Sequence, residues 1–287
     1  VKIGLSTYSL SQAIKAGDMD ILDAIQWIAD NGGEHVEIST FGSDLADTPE
    51  LIPAIVQKAK DAGIDISNYC ISANFISPAS GNYAQEIERV KKHVDIAEQL
   101  GVKTMRHDVA FRPKEESTER QYTEDFEQLV NAVRIVADYA VQYGITTSIE
   151  NHGFYIQSSD RVQRLINAVD RPNYKTTLDI GNFMCVDEDP AAAVKKNLPY
   201  ASIVHLKDFY LRPAYKNPGE GWFQTLSGNY LRGAIIGQGD IDMFEVIRLV
   251  KASGYDGYIS IEFEGMEDCR KGSRIGIENA KRLWAEA

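Results

Sequence analysis

The stretch AVQYGITTSIENHG, Ala140–Gly153, contains the phrase from which the fold is read. It closes a long amphipathic run, DFEQLVNAVRIVADYAVQYGI, at Gly144, and a glycine just past the last periodic residue is a natural helix stop. Thr146, Thr147, Ser148 and Ile149 then read as a strand, because β-branched residues fit a pleated, half-buried surface. The strand ends in Glu150, Asn151 and His152, three polar groups at the point where a core strand surfaces. A surface loop carries such groups for nothing, whereas a strand end facing a cavity carries them for chemistry.

The helix–glycine–strand phrase recurs along the chain. Strand-like runs are KIGLSTY from Lys2, HVEIS from His35, DISNYCIS from Asp65, VKTMRHDV from Val102, TTSIENH from Thr146, KTTLDIGN from Lys175, SIVHLKDF from Ser202 and YISIEFEG from Tyr258. Helical patterns separate them. In DILDAIQWIADNGG, for example, Ile21, Ala24, Ile25 and Ile28 share one face before Gly32-Gly33. Ser158 or Ser159 and Asp242 are expected N-caps of later helices. Successive βα units of about 36 residues predict a single-domain (β/α)8 TIM barrel over residues 1–287. A doubly wound open sheet is the alternative, but STYSLSQAI after the first strand has no glycine for a phosphate-binding turn. One connection breaks the rhythm. Residues from about 209 to 240 are rich in Gly, Tyr, Trp and Arg, and Trp222, Phe223 and Tyr230 suggest a lid-like loop.

Composition bounds the function. Hydrophobic residues make up 44% of the chain and charged ones 25%, the balance of a globular protein. No apolar run approaches the ~18 residues of a membrane helix, and the start, VKIGLSTYSL, lacks the layout of a signal peptide, so a cytoplasmic protein is expected. Cys70, Cys185 and Cys269 are too few and too scattered for a disulfide framework. A net charge of −12 with no basic stripe argues against nucleic acid as partner.

In a barrel the chemistry sits at the C-terminal strand ends. There the fifth strand offers Glu150, the sixth Asp179, the seventh His205 and the eighth Glu262. Three carboxylates converging on one axis repel one another unless a cation lies between them. Three oxygen donors and an imidazole suit one divalent ion, Mn²⁺ first, with Mg²⁺, Co²⁺ or Zn²⁺ as alternatives. The competing reading is a hydrogen-bonded polar plug. At even spacing on the same interior faces lie His152, Lys207 and Glu264. His152 is a candidate proton shuttle or hydroxyl contact, and Lys207 is either an oxyanion or hydroxyl contact or a counter-charge to the acidic ring. Asn182, Arg106, Arg212 and Trp222 complete the expected substrate contacts, Arg106 being preferred over His107 as the inward residue of strand four. His35 and His93 read as structural. CRKGSRIG, Cys269–Gly276, offers Arg270, Lys271 and a helix start to an anion.

Taken together, SIENHG, TLDIGNF, IVHLKDF, GQGDID and ISIEFEG resemble the xylose isomerase-like TIM-barrel superfamily, in particular its sugar phosphate isomerase/epimerase branch. The resemblance covers nearly the whole chain. It implies that Glu150, Asp179, His205 and Glu262 hold the metal, with Glu150 and Glu262 as the catalytic bases. It implies a sugar or sugar phosphate isomerase/epimerase that abstracts a proton next to a carbonyl through a metal-stabilised enediolate, and a homodimer or homotetramer. Two departures keep an alternative open. Sugar 3-epimerases of this kind commonly follow the strand-five Glu with Pro and place an Arg several residues after the strand-seven His; here Asn151 follows Glu150, and Arg212 lies seven residues beyond His205. ENHG also resembles dehydratases of cyclic polyol ketones or dehydroshikimate. An abasic-site endonuclease shares the barrel but resembles a histidine-rich three-metal design, and this chain has five histidines. A metal-free binding protein is the remaining rival.

Overall fold

Each strand-like run becomes a strand because its neighbours bury it on both sides. The computed structural model describes residues 1–39, 44–79 and 81–287. Strands β1 (Lys2–Ser6), β2 (His35–Ser39), β3 (Asp65–Ile71), β4 (Thr104–His107), β5 (Thr146–Glu150), β6 (Tyr174–Asp179) and β7 (Ala201–Leu206) run parallel. Three short strands follow outside the barrel: β8 (Asp208–Arg212), β9 (Phe223–Gln224) and β10 (Tyr230–Ala234). Then β11 (Tyr258–Ile261) pairs with both β7 and β1 and closes an eight-stranded (β/α)8 barrel.

Helices form the outer layer and bury the faces expected of them: Ala24, Ile25 and Ile28 of the helix Ile21–Asp30 point at the barrel. Each fully buried Ile or Leu in this layer stabilises the fold by about 1.5–3 kcal/mol. Helix starts are built locally. Asp20 accepts from the N–H groups of Leu22 and Asp23 in a capping box, and Asp242 caps its helix as expected, accepting from Glu245 N at 3.0 Å. Ser158 stands at the N-cap of Ser159–Val169 but makes no side-chain cap. Instead the Glu188 carboxylate, from the next βα unit, accepts from Ser159 N at 2.9 Å and from its hydroxyl.

The connection after β7, expected as a lid-like loop, has strands of its own. It folds into a three-stranded antiparallel sheet in the order β8-β10-β9. Its return is clamped by Asp208, whose Oδ2 accepts from Gly237 N and Gly239 N, each at 2.9 Å. A Cβ on Gly239 would lie 2.1 Å from Asp208 Oδ1, so only glycine fits. Among the described residues no helix is long and apolar enough to cross a membrane.

His35 is structural, as read. It is fully buried, and its Nε2 lies 2.9 Å from the carbonyl of Ile259. Burial lowers its imidazole from 6.5 to about 4. Between those values the unfolded chain binds a proton that the folded chain refuses, so stability is complete above the upper value and falls as pH drops toward the lower one. Thermal denaturation followed by circular dichroism should therefore show Tm declining across this window. A His35→Gln variant, less stable throughout, should show a flatter decline.

Candidate metal centre

Strand register does most of the placing. Asp179 and His205 are paired residues of β6 and β7, and Glu150 pairs with Thr177, two residues earlier on β6. Glu262 directly follows β11, its N–H donating to Leu206 O at 3.0 Å. The four buried side chains meet at the barrel mouth, where one donor atom from each lies within 4.8 Å of the others. His205 Nδ1 stands 3.9 Å from Glu150 Oε1 and 3.8 Å from Glu262 Oε1, too far for hydrogen bonds.

Three of these buried donors, Glu150 Oε2, Asp179 Oδ2 and His205 Nδ1, make no hydrogen bond. The two oxygens face the cations Arg106 and Lys207, His205 Nδ1 has no hydrogen-bond partner among the described residues, and a donor set so gathered suits a bound cation. The oxygen-and-imidazole set fits a single divalent metal, so this is a metal-binding site rather than a satisfied polar plug. Glu37 prepares it. Its carboxylate, on β2 across the barrel, lies 2.8 Å from His205 Nε2, so in the neutral ring Nε2–H points at Glu37 and Nδ1 is bare toward the cluster. Burial opposes charge on both partners, yet their attraction holds Glu37 at about 2 and lifts His205 to about 10. Asn151 bridges to β6, donating to Asp179 O at 2.8 Å and accepting from Asp179 N at 3.0 Å. Asp179 Oδ1 accepts from the N–H groups of Gly181 and Asn182, each at 2.8 Å. Gly181 is required here, since a Cβ would lie 2.6 Å from Lys207 O.

Two cations, buried Lys207 and partly buried Arg106, offset the acids. Lys207 Nζ lies 2.7 Å from Glu262 Oε2, 3.2 Å from Asp179 Oδ2 and 3.4 Å from Glu264 Oε1. Burial alone would raise the Glu262 carboxyl, but Lys207 and His205 outweigh it and hold it below its ordinary value. Arg106 Nε approaches Glu150 Oε2 at 3.1 Å, an ion pair without hydrogen-bond geometry. There burial wins over Arg106, and the Glu150 carboxyl rises to about 7. The two glutamates are therefore unlike.

A cavity of about 290 Å³ opens above the cluster, lined by Tyr8, Arg106, Glu150, His152, Lys207 and Glu262 among others. Arg106 is indeed the inward residue of β4; His107 packs outward against Phe75, with ring centroids 5.9 Å apart. His152 Nδ1 faces Asp108 at 3.7 Å. Packing around the ring disfavours the cation, but the Asp108 carboxylate prevails and raises the imidazole to about 9. Asn182 donates to Glu150 Oε1 at 3.1 Å and accepts from Lys207, and it lines a side cavity with Phe223. Arg212 and Trp222 are not among the residues lining these cavities. Arg212 stacks on the Trp222 ring at 5.4 Å and pairs with Asp240. The helix start at Cys269 is filled by the chain itself: Asp268 accepts from Lys271 N, and Arg270 lies 3.7 Å from Asp18 and 3.6 Å from Asp268. Sequence reasoning passed over Glu37 and Asp108. The signal for Glu37 was a carboxylate inside an apolar strand, between Val36 and Ile38.

Residues 25–286 match the family model described as xylose isomerase-like TIM barrel. The chain belongs to this family. It is similar to the inosose dehydratase of Bacillus licheniformis, 26% identical over 224 residues, 74% of this chain and 73% of that one. It is also 26% identical over 144 residues to the inosose dehydratase of Geobacillus thermodenitrificans, a segment spanning 49% of this chain and only 48% of that relative. The fold is shared with a probable 3-DHS dehydratase involved in petrobactin synthesis from Bacillus anthracis, at TM-score 0.75 and 19% identity, covering 98% and 99% of the two chains.

Because Glu37 orients His205, a Glu37→Gln variant should bind Mn²⁺ about 10- to 100-fold more weakly while keeping its fold, as read by competition with a chelating dye. Metal must displace the proton that His205 holds below about 10, so binding should release protons and weaken as pH falls.

Proposed function

We propose that this chain is a divalent-metal-dependent lyase that removes water from a cyclic polyol ketone. One observation carries the reading: the buried Glu150 carboxyl and the rim imidazole of His152, whose Nδ1 lies 3.7 Å from the Asp108 carboxylate, line the same cavity. Elimination needs such an unlike pair, a base for the proton beside the carbonyl and an acid for the departing hydroxyl. The similarity to inosose dehydratases supports the same reaction class. The epimerase reading drawn from the sequence needs two carboxylates free to exchange protons on opposite faces of the substrate. Glu262 is engaged by Lys207 at 2.7 Å, which disfavours that role.

Glu150, Asp179, His205 and Glu262 would hold a divalent ion, which would supply Lewis-acid polarisation of the ring carbonyl. Glu150 takes the proton from the adjacent carbon. The C–H electron pair becomes the new C=C bond as the C–O bond on the next carbon breaks. The leaving oxygen takes a proton from His152 Nε2 and departs as water. His152, 53% exposed, regains its proton from solvent, and Glu150 returns the substrate proton to it. Lys207 keeps the Glu262 and Asp179 carboxylates charged and in place and offers its remaining hydrogen-bonding capacity to a substrate hydroxyl.

Manganese-loaded protein and 2-keto-inositol in D₂O provide the test, read by NMR and mass spectrometry. The expected result is a product lighter by one water. Glu150→Gln should lower turnover by about 10³-fold, whereas His152→Gln should lose about 10²-fold in water release yet still exchange the proton beside the carbonyl. Deuterium uptake by the wild type with no loss of water would return the assignment to an epimerase.

A further inference from the structure

The polar cup above the metal ligands is not the largest space at the barrel mouth. A second cavity of about 530 Å³ adjoins it, between the loops that follow β3, β4 and β5. The two share Ser72, Glu150 and His152 in their walls, so they lie side by side at the barrel mouth. Their linings differ. The cup is ringed by Arg106, Lys207 and six other ionisable side chains, whereas Ala73, Val109, Phe111, Ile149 and Ile156 line the annex. Phe111 is 60% exposed at its rim, a large aromatic face turned to water beside the site.

A bare polyol ring makes no use of such an annex. Its hydroxyls need hydrogen-bond partners, and pressing them against alanine, valine and phenylalanine would desolvate them without compensation. Nor is the annex suited to a phosphate. Arg89 in its wall is engaged by Glu86 through Nε and Nη2, each at 2.9 Å, and donates to Ser72 O at 2.6 Å. Glu86 and Asp108 in the same wall add negative charge. What fits is an uncharged apolar group of about ring size, attached to a polar ring that sits in the cup.

We propose that the substrate is a substituted polyol ketone. Its hydroxylated ring sits at the metal ligands, and an apolar, aryl-like substituent passes His152 into the annex and packs on Phe111. This deepens the reading of the chain as an enzyme of ring ketones and rests on it for the identity of the ring. The annex then selects among such ketones, because buried apolar area adds affinity that the bare ring lacks.

The probes are 2-keto-inositol and its set of mono-O-benzyl ethers, titrated calorimetrically into the manganese-loaded full chain. At least one ether should bind about tenfold or more tightly than the parent ketone. Ala79→Trp, at an exposed position on the annex wall, should fill the space, and Phe111→Ala should remove its aromatic side. In both, the ratio of ether to parent affinity should fall toward one. Ethers that all bind no better than the parent, or a preference that survives Ala79→Trp, would overturn the proposal. The reaction assignment fails separately. A parent ketone that binds but loses no water, with the benzyl preference intact, refutes the dehydratase and upholds the annex.

Discussion

The structure depends on keeping like charges together inside a barrel mouth. Glu37, Glu150, Asp179 and Glu262 are all buried within one layer of side chains, where carboxylates repel strongly and lose their water. Three devices make this tolerable. Lys207 and Arg106 bring positive charge to the acids, His205 shares its proton with Glu37, and four ligand-type side chains converge on a point suited to one divalent ion. Without them the mouth would protonate or open.

The same arrangement makes chemically distinct groups out of identical side chains. Glu150 and Glu262 face one cavity, but Lys207 engages one while burial dominates the other. Asp108 adds a third environment, its carboxylate 3.7 Å from His152 Nδ1 at the rim. Three different environments thus arise from neighbours rather than from residue type, and this asymmetry is what the proposed elimination draws on.

Beyond the mouth, secondary structure positions the site through a few side-chain clamps. Asn151 ties the end of β5 to β6 by two hydrogen bonds, and Asn182 spans Glu150 and Lys207. Asp208 gathers the turn around Gly237 and Gly239 and brings the outer three-stranded sheet back over the barrel, where Phe223 reaches a side cavity. Polar residues beside the ligands are thus occupied in holding them.

The sequence by itself determined the barrel and the four ligand-type residues that meet at its mouth. Periodicity, helix-ending glycines and capping residues are local signals, and a parallel strand carries its functional group at a predictable end, so Glu150, Asp179, His205 and Glu262 could be read one strand at a time. Only the tertiary structure decided what surrounds them. Glu37 reaches His205 from a strand far away in the chain, Asp108 meets His152 across two loops, and Arg212 turns to Trp222 instead of the site. Local patterning fixes which face a residue takes, but contacts across a closed barrel depend on register and loop path, which no single segment encodes.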